Sequence, residues 1–84
     1  MGVVFRVRVG DSYLSPDSID EIGYFTTYYK AFKALKDNLR ANDQKLSFME
    51  SYYESDVSGN YQGNWIEKSS GYEGAFEIAK IQVE

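Results

Sequence analysis

The sequence predicts an α+β fold in which a single helix packs on a three- to five-stranded, mainly antiparallel sheet. Three observations point there: strict apolar–polar alternation over residues 3–9, an apolar stripe at helical spacing over 26–41, and a return to period two from residue 45 onward. No linker, internal repeat or low-complexity tract interrupts the chain, so residues 1–84 read as a single domain.

The stretch VVFRVRV (3–9) sets Val3, Phe5, Val7 and Val9 on one face and Val4, Arg6 and Arg8 on the other, which is the signature of a half-buried strand. Gly10, Asp11 and Ser12 end it. Arg6 and Arg8 are placed to pair with acids on neighbouring strands, each pair contributing about 0.2–1 kcal/mol. The next segment, SPDSIDEIGYF (15–25), admits two readings. Ser15-Pro16, a capping box from Ser18 to Glu21 and a stop at Gly23 spell a short helix. IGYF (22–25) has the β-prone residues of a short strand entered through an acidic turn, and this second reading is favoured.

Residues 26–41, TTYYKAFKALKDNLRA, form the clearest element. Tyr28, Phe32, Leu35 and Leu39 recur at spacings of four, three and four and share one face with Ala31 beside them. Thr26 or Thr27 caps the start and Asn42-Asp43 closes the end. Lys30, Lys33, Lys36 and Arg40 gather on a neighbouring, outward face, which reads first as a solvated stripe and second as a meeting point for phosphate or an acidic partner. Strands follow at 45–54, 64–69 and 75–84, separated by a polar Gly/Ser/Asn loop at 55–63 and by SGYEG (70–74). In the last strand Ala79, Ile81 and Val83 share one face, with Phe76 and Ile78 on the other.

Composition narrows the chemistry. The 84 residues include no cysteine and no histidine, which removes disulfides, thiolates and the commonest general base and transition-metal ligand. A chain of this size buries only about 60–65 % of the surface its unfolded form exposes, so each large apolar side chain counts. Aromatic residues make up 17 % of the sequence, which argues against disorder. No apolar run approaches the roughly 20 residues of a membrane helix. The start MGVVFRVRV lacks a signal-peptide pattern, and Arg6 stands where a myristoylation motif needs Ser or Thr. A cytoplasmic location is therefore expected. Charge is uneven: residues 1–40 carry six Lys/Arg against five Asp/Glu, and residues 41–84 carry three against eight.

The aromatic, acidic segment 50–67 is the candidate site. Its ring and acid residues Glu50, Tyr53, Glu54, Asp56, Tyr61, Trp65 and Glu67 suit contact with another protein, because Tyr and Trp are enriched among interface anchors. Adjacent Tyr52 and Tyr53 point to opposite faces, one of them into the core. A calcium-loop reading places Asp56, Ser58, Asn60 and Glu67 at ligand positions, yet Tyr61 stands where the loop needs glycine and Gly63 where it needs an apolar anchor. Tyr52, Tyr53, Tyr61 and Trp65 could stack on bases, but the acids among them oppose phosphate, so direct nucleic-acid binding is not expected. Asp17, Asp20 and Glu21 read as solubilising and capping charge rather than as a catalytic pair. Phosphate-loop, dinucleotide and nucleophile-elbow patterns do not occur, and the two glycines of GYEGAF are too few to suggest one, so neither a cofactor nor an enzymatic activity is expected.

The stretches IGYFTTYYKAFKALKDNL (22–39) and FEIAKIQVE (76–84) resemble a class of small α+β proteins of phages and other mobile elements, in which a short strand feeds an Ala-centred helix and the chain ends in a strand. The resemblance covers packing positions and implies a setting: such proteins act by binding and modulating a host protein, and some are acidic inhibitors that imitate nucleic acid. The expected function is a non-catalytic protein-binding or modulator module working through residues 50–67. One alternative is a nucleic-acid mimic in which Glu50, Glu54, Asp56, Glu67 and Glu73 stand in for phosphates; another is a small-ligand or carbohydrate module built on Tyr61 and Trp65. A homodimer through a free sheet edge or an apolar patch is a further expected partnership.

Overall fold

Alternation in the first strand decides which way the sheet faces. The computed structural model describes the backbone of residues 2–54 and 57–83, with side chains described except at 50–54 and 57–59. In β1 (Gly2–Gly10), Phe5, Val7 and Val9 face the core and Val7 is fully buried, while Arg6 and Arg8 turn to the opposite face, as the period of two requires. A single 3-10 turn at Pro16–Ser18 leads into β2 (Asp20–Phe25). The turn-then-strand reading of residues 15–25 is thus the one adopted, with the strand beginning two residues earlier than IGYF. The helix α1 (Tyr28–Ala41) follows, capped by Thr27, whose Oγ1 accepts from the Lys30 N–H at 3.1 Å.

Three long strands complete the chain: β3 (Gln44–Glu54), β4 (Val57–Glu67) and β5 (Glu73–Val83). They join β1 and β2 in one five-stranded sheet of order β2-β1-β5-β4-β3, every neighbouring pair antiparallel. The helix carries the chain from one edge strand, β2, to the other, β3. Tyr28 at its start meets Phe5 and Tyr61, and Asn38 and Asn42 near its end share a cleft with Val9, Asp20 and Gln44. It therefore runs back along the sheet, antiparallel to both strands it connects.

The helix stripe and one sheet face enclose the core. Ala31, Leu35 and Leu39 lie against Val7, Phe76, Ile78 and Trp65, flanked by Phe5, Tyr28, Phe32, Leu46 and Tyr61. Burying a Leu or Phe side chain contributes about 1.5–3 kcal/mol, so this cluster supplies most of the favourable free energy.

One expectation needs correction. The expected loop at 55–63 is mostly strand: β4 begins at Val57, and Lys68 and Ser69, expected to end the strand 64–69, form a turn with Ser70 instead. Glycine and asparagine, read as turn residues, do other work there. Asn60 is buried, and its Oδ1 accepts from the Lys80 N–H at 2.8 Å, tying β4 to β5. At Gly63 a Cβ would overlap the Phe48 carbonyl oxygen and lie 2.8 Å from the Met49 Cα, because the β3–β4 register shifts between Leu46 and Phe48. Only glycine fits that bulge, so Gly63 marks a close approach of two backbones rather than a turn.

Candidate functional site

The structure divides the predicted site. Trp65 is only 8 % exposed: its Nε1 donates to the Gly10 carbonyl at 3.1 Å and the Ala75 carbonyl at 3.2 Å, and its ring covers Gly74 on β5. It is a core staple joining β4, β5 and the end of β1, and little of its ring is left for a partner. Tyr61 is half-buried, its ring 4.3 Å from that of Tyr28. Burial, followed by the neighbouring Tyr61, raises the Tyr28 hydroxyl above its ordinary pKa of 10.0. Glu67 accepts from Ser69 and Ser70 in the turn after β4. Asp56 lies outside the described residues, as do the side chains of Glu50, Tyr53 and Glu54 and the question of which of Tyr52 and Tyr53 is buried. Among the described members, then, Tyr61 and Trp65 serve the core and Glu67 serves a turn.

The calcium reading meets a geometric obstacle in the same strand. Asn60 and Glu67 lie seven residues apart along β4, about 23 Å at the rise of an extended strand, whereas ligands of one calcium ion lie about 2.3–2.6 Å from it.

The outward rings are elsewhere. With α1 on one side, the opposite sheet face carries a ladder of charges: Arg6 Nη2 donates to Glu77 Oε1 at 3.3 Å, Arg8 Nε stands 3.8 Å from Glu21 Oε1, and the Tyr24 hydroxyl donates to Glu21 Oε1 at 2.9 Å. The expected pairing of Arg6 and Arg8 with acids on adjacent strands is what forms it. Tyr24 on edge strand β2 is 54 % exposed and Phe48 on edge strand β3 is 53 % exposed. Beside Phe48 the loop after β1 projects Tyr13, 90 % exposed, over a hollow of about 290 Å³ floored by Gln62, Asn64 and Ala75. That loop is held by Asp11, whose Oδ1 accepts from the Tyr13 and Ser15 N–H groups at 3.0 Å each; the Ser15 contact leads in lowering its pKa from 3.8. Leu14, at φ 50°, carries the left-handed conformation that closes the turn.

A second feature lies on the helix side. Between the flank of α1 and the start of β3 runs a cleft of about 240 Å³, lined by Lys36, Leu39 and Arg40 of the helix, Lys45 and Leu46 of the strand, and Lys68. A hollow of about 360 Å³ continues it along α1 past Phe32 and Lys33 to Tyr29. Lys33, Lys36 and Arg40 thus share one flank, as the helical stripe predicts, while Lys30 lies apart, its Nζ donating to Thr26 Oγ1 at 3.4 Å. Lys33 pairs with Asp37 at 3.1 Å, but Lys36, Arg40, Lys45 and Lys68 make no ion pair among the described residues. Lys36 instead sits over the Phe32 ring, 5.4 Å from its centroid.

A third cleft, about 300 Å³, opens between the end of α1 and the Trp65–Tyr72 pair. Of its hydrogen-bonding groups, the Trp65 Nε1–H and the Asp11 carboxylate are already engaged within the fold. Among the described residues no cluster of acids could hold a metal ion, and no helix is long and apolar enough to cross a membrane.

Tyr13, Tyr24 and Phe48 were the residues that sequence reasoning did not single out. Alternation could have marked Tyr24 and Phe48 as surface positions once their strands were known to be edges, but edge order is a long-range property. Comparison with known proteins adds no relative: no family model, curated protein or solved structure matches the chain.

Proposed function

We propose that the chain is a non-catalytic module that binds another protein through the helix-free face of its sheet. The observation that carries this reading is the pair of exposed rings, Tyr24 and Phe48, standing at opposite edges of a charge ladder on the face opposite α1, which the loop after β1 overlies only at its Gly10–Ala75 end. An aromatic side chain left in water forgoes about 1.5–3 kcal/mol of burial, and docking a partner would recover it. Arg6 and Arg8, held in place by Glu77 and Glu21, present oriented guanidinium groups between the rings, and aromatic and arginine anchors dominate interface energetics. Four strand spacings by the length of the nine-residue β1 give at most about 600 Å² for this face, less than the roughly 800 Å² per partner of a standard interface, which suits a contact at the small end of the range. A cytoplasmic setting on a phage or other mobile element, with a host protein as partner, belongs to the same reading and is supported by the resemblance of residues 22–39 and 76–84.

The test is affinity capture from cells that carry the gene, using the wild-type chain, Tyr24→Asp and Phe48→Asp, with Lys30→Glu on the far flank of α1 as control. The reading expects one protein retained by wild type and Lys30→Glu and reduced at least tenfold by both ring substitutions, then confirmed with the purified partner. Equal retention by all four chains would reject this face.

A further inference from the structure

We infer that the groove between α1 and edge strand β3 takes an extended, acidic peptide segment that adds to β3 as a sixth strand. The inference rests on the protein-binding reading and deepens it by naming a second contact surface and the chemistry that fits it. Three features converge on it.

First, β3 is the outer strand of the sheet, so alternate residues along Gln44–Met49 turn unpaired N–H and C=O groups outward, where an extended chain can hydrogen-bond them. The register shift between Leu46 and Phe48 restricts such pairing to short segments, so the edge alone does not invite indiscriminate strand addition. Second, the flank of α1 stands beside that edge and supplies a wall. A strand docked between helix and edge would lay side chains against the half-buried Leu46 and against Lys36 where it lies over the Phe32 ring. Third, the cleft is cationic, and none of its charges is held in an ion pair among the described residues, Lys36 engaging only the Phe32 ring. Lys36, Arg40, Lys45 and Lys68 line it, in a chain whose formal net charge is −4. Lys36 and Arg40 are one helical turn apart, close enough to act on the same carboxylate or on two successive ones. Charge complementarity therefore selects an acidic segment, and the strand edge selects an extended one.

The experiment uses the intact protein and a fluorescein-labelled ten-residue peptide alternating glutamate with valine or threonine. Its companions are the same peptide with proline at alternate positions, which removes backbone donors while keeping the charge, and a single-stranded dT12. Anisotropy is read at 50 and 300 mM salt, and amide shifts are mapped by nuclear magnetic resonance on the wild-type chain, so that no variant need be stable for the site to be located. The inference expects the alternating peptide to shift residues 44–49 and 33–40, to bind at least tenfold more tightly than the proline peptide and dT12, and to lose at least tenfold in affinity with Lys36→Glu/Arg40→Glu. Equal binding of the proline peptide or of dT12 would reduce the groove to an unspecific anion patch and overturn the inference. Absence of peptide binding, shifts confined to other residues, or self-association that blocks the groove and is lost in the double variant would overturn it too. If the peptide fails while capture through Tyr24 and Phe48 persists, the groove alone is rejected; if capture fails while the peptide binds, the helix-free face is.

Discussion

Replacing Gly74 with alanine tests whether Trp65 is the staple that its contacts describe. A Cβ at residue 74 would overlap Cζ2 and Cε2 of the indole and lie 2.5 Å from the Gly10 carbonyl oxygen, so both the ring and the backbone around Gly74 or Gly10 must move. Overpacking of this kind costs about 1–3 kcal/mol. Moving the ring also withdraws Nε1 from the Gly10 and Ala75 carbonyls, and leaving buried polar groups unpaired costs about another 1–3 kcal/mol. The smaller unfolded-state entropy of alanine returns up to about 1 kcal/mol, giving a net loss of roughly 1–6 kcal/mol. A chain of 84 residues has a total stability of about 4–13 kcal/mol at typical values per residue, so the loss is a large share of it. Urea unfolding followed by circular dichroism measures the loss, and the fluorescence of Trp65, the one tryptophan, reports whether the ring becomes exposed. The decisive comparison is the same substitution in a Trp65→Leu background, where the overlapping ring atoms are gone and only the Gly10 carbonyl still crowds the new Cβ, so Gly74→Ala should cost at least about 0.5 kcal/mol less than in the wild-type chain, since coupled neighbours are non-additive. An equal cost in both backgrounds, or a loss below about 1 kcal/mol in the wild-type chain, would refute the reasoning.

Three other outcomes follow from the same contacts. Leu35→Ala, at a fully buried position in the centre of the helix stripe, should lower stability by about 2–5 kcal/mol with an unchanged urea m-value. Thr27→Ala should cost about 1 kcal/mol by removing the cap on the Lys30 N–H, read as a lower thermal midpoint. For Tyr28, the folded pKa lies above the ordinary 10.0, so the protonated phenol favours folding: its contribution is present below pH 10.0 and is lost as pH rises through the folded value, because the unfolded chain ionises first. Urea midpoints measured from pH 8 to 11 should therefore fall less steeply above pH 10 in Tyr28→Phe than in the wild-type chain.

Local periodicity made most of the fold legible. The alternation in residues 3–9 separated Val7 from Arg6 and Arg8 correctly, and the helix stripe identified Ala31, Leu35 and Leu39, because burial on one face imposes those periods directly. What could not be read were features set by distant partners. Gly63 and Asn60 looked like turn residues, yet one answers to the Phe48 carbonyl across a bulge and the other to the Lys80 amide on β5. The same holds for Trp65. An aromatic residue in a polar, glycine-containing stretch looks available for binding; its commitment to the core depends on Gly74 and Gly10, nine and fifty-five positions away, which leave room for the ring and a carbonyl for its N–H. The exposed rings Tyr24 and Phe48 gain their meaning only from the strand order, which places β2 and β3 at the sheet edges.

The sign of a partner's charge follows from local rather than summed charge. The formal net charge of −4 would direct attention to basic partners, and the acids concentrated in residues 41–84 strengthen that impression. At physiological salt, however, exposed charges more than about 8 Å apart are largely screened from one another. Lys36 and Arg40, one turn apart on α1, fall within that range and reinforce each other at the groove. Lys45 and Glu54 occupy the same strand but lie nine residues apart, about 30 Å along β3, so that acid does little to neutralise the groove. Asp43 and Glu67, close to Lys45 and Lys68 in sequence, and Asp37, paired with Lys33, offset part of the field. The four cations Lys36, Arg40, Lys45 and Lys68 outnumber them, and an acidic segment approaching the α1–β3 groove meets a net positive surface. Shortening the separation between acid and groove should matter more than changing the total: an acid introduced at Leu46, inside the groove, should weaken binding of the alternating glutamate peptide more than an acid introduced at Gln82, at the far end of β5, although both lower the net charge by one.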